Sequence, residues 1–437
     1  MGNDLRAIGD ACWTSFKAAE WQRAIDDCQF TPVAEDTVYI STRGVVGNVT
    51  AVRTRDGLVV FDTGGVLVAQ KIYDTLRKWD STSPVHTVIF THGHLDHVMG
   101  APVFEAEANK RGEPPIRFIG HRNMPARFAR YAATAGFNAI INSRQFAMPL
   151  RARPAAFRNP DVVYDDQLIF EVGGVSFELN HGLGETDDHT WTWIAQKKLI
   201  VSGDFIIWAA PNCGNPQKVQ RYCKPWADAY RAMASRPAEI LVPGHGPAIF
   251  GADRVAQILN DGAKLLDTIH DQTLALMNEG RTLDEIVQGV KMPDELLKRP
   301  YFQPTYDDPE FLIRNIWRLY GGWWDGDPAH LKPAPAAALA RELAELAGGA
   351  EKLAERAKQL AERGDLRLAG HLSELAVQAA PQNAAAHHAR IDVNRKRVAA
   401  ESTLMAKGVF GATMRDSQAV VDPEALKTPP ERFIGVG

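Results

Sequence analysis

Residues 91–100, THGHLDHVMG, place His92, His94, Asp96 and His97 within six positions, directly after the apolar run VHTVIF. Neutral imidazole nitrogens and carboxylate oxygens are the donors that zinc and neighbouring divalent ions accept. A strand that ends in a turn can aim several side chains at one point. His92 and His94, two apart, project to the same side as the chain leaves the sheet, and Asp96 and His97 turn toward a second, nearby point. A lone loop histidine is ordinarily just solvated, but three with an aspartate in so short a span point to metal.

Such a turn needs a sheet beneath it. Between about 37 and 250, β-rich runs alternate with helical ones. TVYIS, NVTAVRT and GLVVFDTGG read as consecutive antiparallel strands closed by glycine or charged turns. QKIYDTLRKW is amphipathic, and IRFIGH, VSFELNHG, KLIVSGD and AEILVPGHG read as further strands with the helices NMPARFARYAATAG and WADAYRAMAS among them. That order fits a mixed, layered α/β domain. Beyond about 253 the strand signals stop. RTLDEIVQGV opens with a capping-box pattern, Thr282 and Glu285, and Leu339, Leu343 and Leu346 fall on one helical stripe. Trp317, Trp323 and Trp324 read as helical core or subunit interface, and His387 and His388 as solvated.

The chain has 437 residues and a formal net charge of −4, enough for two or three domains and without the basic surplus that nucleic acid requires. Cys12, Cys28, Cys213 and Cys223 have neither disulfide nor zinc-ribbon spacing, which favours reduced thiols. No apolar stretch reaches the roughly 20 residues of a membrane span. A cytoplasmic protein is expected.

HGHLDH matches the HxHxDH signature and so resembles the metallo-β-lactamase fold, a two-sheet sandwich with helices outside and a dinuclear site at one edge. Three further motifs of that fold follow in order: FDTGG with Asp62, SGD ending at Asp204, and PGHG with His245. The resemblance implies that His92, His94 and Glu185 hold one metal, and that Asp96, His97 and His245 hold the other. Asp204 would bridge the pair, and Asp96 and Asp204 would be the catalytic carboxylates. The ions would be two divalent cations, zinc first, with manganese or iron(II) as alternatives. Asp62 and His189 would support the ligands from behind.

Glu185, in GLGETDDHT, stands where most relatives carry a metal-binding histidine, and His181 and His189, four residues to either side, are the alternatives for that ligand position. The alkylsulfatase-like branch resembles this chain in carrying glutamate there. Residues 253 to about 416 are also similar to that branch's dimerisation domain, through YGGWWDGDPAHL and AGGAEKLAERAKQLAERGDLRLAGHLSELAV. The implied architecture is an N-terminal segment (1–36), an αββα sandwich (37–252), an all-α dimerisation domain (253–407) and a loosely docked tail (408–437). The implied activity is hydrolysis of a sulfate ester or related amphiphilic ester by a metal-bound hydroxide, in a homodimer. Because DFIIWAAPNCGNPQKVQRYCKPW departs from that branch's sulfate-binding segment, a lactonase, thioesterase or β-lactamase-like enzyme stays open as the alternative. His121, Tyr131, Arg144 and Arg221 are the candidate substrate contacts, and the helix around Tyr131 and Phe137 is a candidate roof.

Overall fold

Along one strand, Val59 and Phe61 face one way while Leu58 and Val60 face the other, and this alternation fixes the layer order of the first half of the chain. The computed structural model describes residues 4–43, 47–147 and 157–424. One sheet runs in chain order through β1 (Cys28–Ala34), β2 (Thr37–Thr42), β3 (Val49–Thr54), β4 (Gly57–Phe61), β5 (Val85–Ile89), β6 (Arg117–His121) and β7 (Val162–Tyr164). The other contains β8 (Gln167–Val172), β9 (Val175–His181), β10 (Thr190–Ile194), β11 (Leu199–Gly203), β12 (Ile240–Pro243) and β13 (Ile249–Phe250). β1 to β4 pair antiparallel and β4 to β7 parallel. In the second sheet only β11 and β12 run parallel.

Between the sheets, Val59, Phe61 and Ile89 meet Phe177, Leu179, Val201 and Val242 in one buried cluster. On the outside of the first sheet, Leu58, Val60 and Val88 pack with Ile72 and Leu76 of helix Ala69–Trp79 and Phe104 of helix Ala101–Lys110. Outside the second sheet, Trp191, Trp193 and Leu241 share a core with Trp226 and Tyr230 of helix Cys223–Ala234 and with Ile258 of the long helix Ala252–Asn278. Each such side chain, fully buried, contributes about 1.5–3 kcal/mol of hydrophobic stabilisation. The result is the αββα sandwich expected from the sequence, followed by helices.

Two expectations about the ends need correction. Residues 28–34, expected in a separate N-terminal segment, form β1, paired with β2. Pro32 hides this strand in the sequence. It is tolerated because β1 lies at the sheet edge and the register shifts between Pro32 and Ala34. Leu5 and Trp21 are likewise buried in the second sheet's outer core, and Trp13 stacks on Tyr301 at 4.6 Å. The loosely docked tail is also overturned for its described part. Leu404–Val421 is a helix that packs on helices Ala384–Ala400 and Ala135–Phe146. A Cβ on Gly408 would lie 2.4 Å from the Gln145 carbonyl oxygen, so glycine is what lets the two backbones meet. His387, expected to be solvated, is buried and bonds Ser417 Oγ and the Pro381 carbonyl, while His388 is exposed.

Thr282 and Glu285 do form the capping box, at the start of helix Leu283–Gly289. The leucine stripe of helix Ala336–Ala347 points outward: Leu339, Leu343 and Leu346 are exposed, as are Trp323 and Trp324. Among the described residues no helix is long and apolar enough to cross a membrane.

Candidate metal centre

The turn after β5, the β9–β10 loop and the ends of β11 and β12 converge at one edge of the sandwich. His92, His94, Glu185 and Asp204 come together there, beside Asp96, His97 and His245, and within each group the potential ligand atoms lie within 4.8 Å of one another. Asp204 stands between the groups. Its Oδ2 is 3.6 Å from His92 Nε2 and 3.4 Å from His245 Nε2, and its Oδ1 is 3.2 Å from His97 Nε2. His94 Nδ1 lies 3.6 Å from Glu185 Oε1, and His245 Nε2 lies 3.3 Å from Asp96 Oδ2.

Burial keeps His92 and His94 well below the ordinary histidine pKa, so both present neutral lone pairs. Burial pushes the Glu185 carboxyl up, helped by the Asp204 charge and opposed by Arg221. Burial also opposes charge on His97, but Asp204, Asp96 and Asp62 outweigh it and raise that imidazole. Three buried atoms facing this space, His97 Nε2, Glu185 Oε2 and Asp204 Oδ1, have no hydrogen-bond partner among the described residues. Imidazole nitrogens and carboxylate oxygens without partners, clustered and desolvated, are what a divalent cation satisfies when it displaces any proton they carry. The donor set therefore fits the cations that the sequence implied.

The surrounding residues fix these side chains. Asp62 sits at φ +62°, a left-handed conformation uncommon for a non-glycine residue. From there its Oδ2 accepts from His97 Nδ1 at 2.7 Å and from Thr91 Oγ1 at 2.7 Å, leaving His97 Nε2 turned to the cluster. His189 Nε2 accepts the backbone N–H of Asp204 at 3.1 Å, and its ring stacks on Phe205. The structure thus brings Glu185 into the cluster and leaves His189 behind Asp204. Gly244 is required in front of His245, since a Cβ there would fall 1.9 Å from Asp204 Oδ1.

Of the candidate substrate contacts, Arg221 is brought to the site, with Nη1 2.9 Å from Glu185 Oε1 and the side chain buried. Arg144 is not. It is exposed, donates to Gln217 Oε1 at 2.9 Å and lines a separate cavity, because its helix turns it toward helix Leu404–Val421. His121 stacks on His181 at 3.7 Å. Tyr131 is half-buried beside Arg127 and stacks on Phe157.

Two family models match the chain: the metallo-beta-lactamase superfamily over residues 42–245 and alkyl sulfatase dimerisation over residues 282–419. The chain joins a metallo-beta-lactamase region to an alkylsulfatase dimerisation region. This alkylsulfatase-like chain is 27% identical over 347 residues to a linear primary-alkylsulfatase of a Pseudomonas species, covering 74% of this chain and 65% of that protein. It is 27% identical over 361 residues to an (R)-specific secondary-alkylsulfatase of Pseudomonas, with 77% of this chain and 54% of that protein covered. An alkyl/aryl-sulfatase of Saccharomyces cerevisiae is 26% identical over 384 residues, covering 81% and 58%. The chain thus spans between about half and two thirds of the length of these relatives. The solved structure of a stereoselective inverting sec-alkylsulfatase from Pseudomonas superposes with a TM-score of 0.81 over 93% of this chain and 67% of that one. Its identity is 22%, a likeness of fold.

Several residues around the cluster carry little local signal in the sequence. Asp188 Oδ2 accepts Gly93 N–H at 3.0 Å and its Oδ1 lies 3.0 Å from Arg127 Nε, which braces the His92–His94 turn. Asn48 donates to the carbonyls of Pro243 and Gly246 and so pins the His245 loop. Asn212 donates to Glu185 Oε1 at 2.7 Å. Lys218 bonds Asn142 Oδ1, and burial together with the Arg221 charge lowers its pKa to about 8. Tyr306, from the helical half, accepts from Gln145 Nε2 at 2.8 Å. The run DDHT with its paired acids was a usable signal for Asp188; the others are polar residues with no local pattern.

Proposed function

We propose that the protein is a dinuclear metal-dependent hydrolase that cleaves sulfate esters of apolar alcohols, and that it acts as a homodimer in the cytoplasm. The observation that carries this reading is the pairing of the cluster with buried Arg221 against Glu185. His92, His94 and Glu185 would hold one cation, Asp96, His97 and His245 the other, with Asp204 between. Zinc suits this imidazole-rich set. When bound, such cations would supply Lewis acidity and would lower the pKa of a water held there.

The chain's own groups do the rest. Arg221 and Lys218 bring positive charge to one side of the cluster, where the ester's anionic oxygens belong. Tyr306 Oη, already accepting from Gln145, keeps its own proton for donation, and burial, with the charges of Glu185 and Asp307, raises its pKa so that the proton stays. Phe137 and Ile140 are exposed on helix Ala135–Phe146, whose Asn142 holds Lys218, so an alkyl chain would find apolar contact there. The exposed Trp323, Leu343 and Leu346 and the dimerisation-family match support self-association through the helical half. Four free cysteines suit a reducing compartment.

The test is a panel assay on metal-replete protein. Dodecyl sulfate is expected to yield sulfate and alcohol in equal amounts, with at least a hundredfold loss in Asp204→Asn. Ring opening of lactones with no sulfate release would replace this reading with a carbonyl-directed one.

A further inference from the structure

The geometry points to a second binding site, for an amphiphilic monoanion, in the cavity between helices Ala135–Phe146, Glu310–Gly321, Leu366–Ala379 and Leu404–Val421. The cavity holds about 610 Å³, within the usual range for a small-molecule pocket, and none of the cluster residues lines it. Its walls are apolar where Phe311, Leu366, Met405, Val409 and Phe410 meet.

The charges around those walls do not cancel. Glu310 Oε2 is taken by Arg367 at 2.7 Å, and its Oε1 lies 4.0 Å from Arg314. Glu401 Oε1 accepts the backbone N–H groups of Ser402 and Thr403, and Asp308 accepts that of Glu310. Among the described residues two guanidiniums, those of Arg144 and Arg397, form no ion pair with a carboxylate. Arg144 donates to the neutral Gln217. Arg397, half-buried, lies 3.6 Å over the Phe410 ring and has neither hydrogen bond nor ion pair among the described residues. A guanidinium carries five N–H donors, and leaving them unmet in a partly desolvated place is costly. An anionic head with two or more acceptor oxygens, such as carboxylate, sulfonate or sulfate, supplies matching acceptors, and its alkyl chain fills the apolar remainder.

The probe is dodecanoate below its micellar concentration, titrated calorimetrically into the metal-replete 437-residue chain. One saturable equivalent per chain is expected at this cavity. Arg397→Met, which removes the charge, and Val409→Trp, which fills the space, should each weaken it by at least about tenfold. Arg397→Lys should keep it within about threefold, which separates loss of the site from loss of the fold, and Arg221→Met should leave it unchanged. Absence of saturable binding, or affinity in Arg397→Met and Val409→Trp equal to that of the parent chain, would overturn the proposal. So would loss in Arg221→Met alone, which would put the probe at the metal cluster.

Discussion

Arg221 Nη1 lies 2.9 Å from Glu185 Oε1 with both side chains buried, so the segment after β11 is tied by charge to the β9–β10 loop. The same guanidinium donates to the Asn212 carbonyl, and Asn212 in turn donates to Glu185. Removing one partner of such a buried pair leaves the other's charge uncompensated. Arg221→Met is therefore expected to lower kcat/KM for an alkyl sulfate by about a hundredfold, with partial recovery in Arg221→Lys. An unchanged kcat/KM would remove Arg221 from the site.

Lys218 sets a pH limit. Its pKa is lowered from 10.5 to about 8 by burial and by Arg221, so it is charged below that pH and neutral above it. Any contribution to holding an anionic ester is fully present on the acid side and fades as pH rises through about 8. KM should climb in that window for the parent chain and stay flat to about pH 10 in Lys218→Arg, because arginine keeps its proton. Coincident profiles would contradict this.

Asp62 orients His97 without belonging to the cluster. Asp62→Ala frees the imidazole to rotate and removes the acceptor for Thr91, and metal affinity should fall by about 10–100-fold. Competition with a chromophoric chelator measures it. Affinity equal to that of the parent would mean His97 is held by packing alone.

Gly408 permits the contact between helices Leu404–Val421 and Ala135–Phe146. Gly408→Leu should destabilise the fold by about 1–3 kcal/mol as the helices part. Activity should drop with it, since Gln145 on the second helix bonds Tyr306. Thermal melting and sulfate release on the same preparation check both.

Much of the centre could be read from the sequence because its first four members lie in one turn. Local spacing there translates directly into shared direction, and the strand before it is unmistakably apolar. Asp204 and His245 were legible for a similar reason, each closing a run that reads as a buried strand. Arg144 and Arg221 show where that logic ends. Both are arginines in polar surroundings, and only tertiary packing turns one into the site and the other toward a separate cavity. β1 was obscured by Pro32, a residue that local propensity rejects but a sheet edge tolerates. The helix Leu404–Val421 was obscured by its glycines, which weaken helix signals while enabling the close packing that buries it.

The most direct test of the central claim is the metal content of the purified 437-residue chain by inductively coupled plasma mass spectrometry. About two equivalents of a divalent transition metal per chain are expected, falling to about one when His94 and Glu185 are both replaced by alanine. A chain that is folded and carries no stoichiometric metal, even after incubation with zinc and removal of excess, would contradict the assignment of these side chains as ligands.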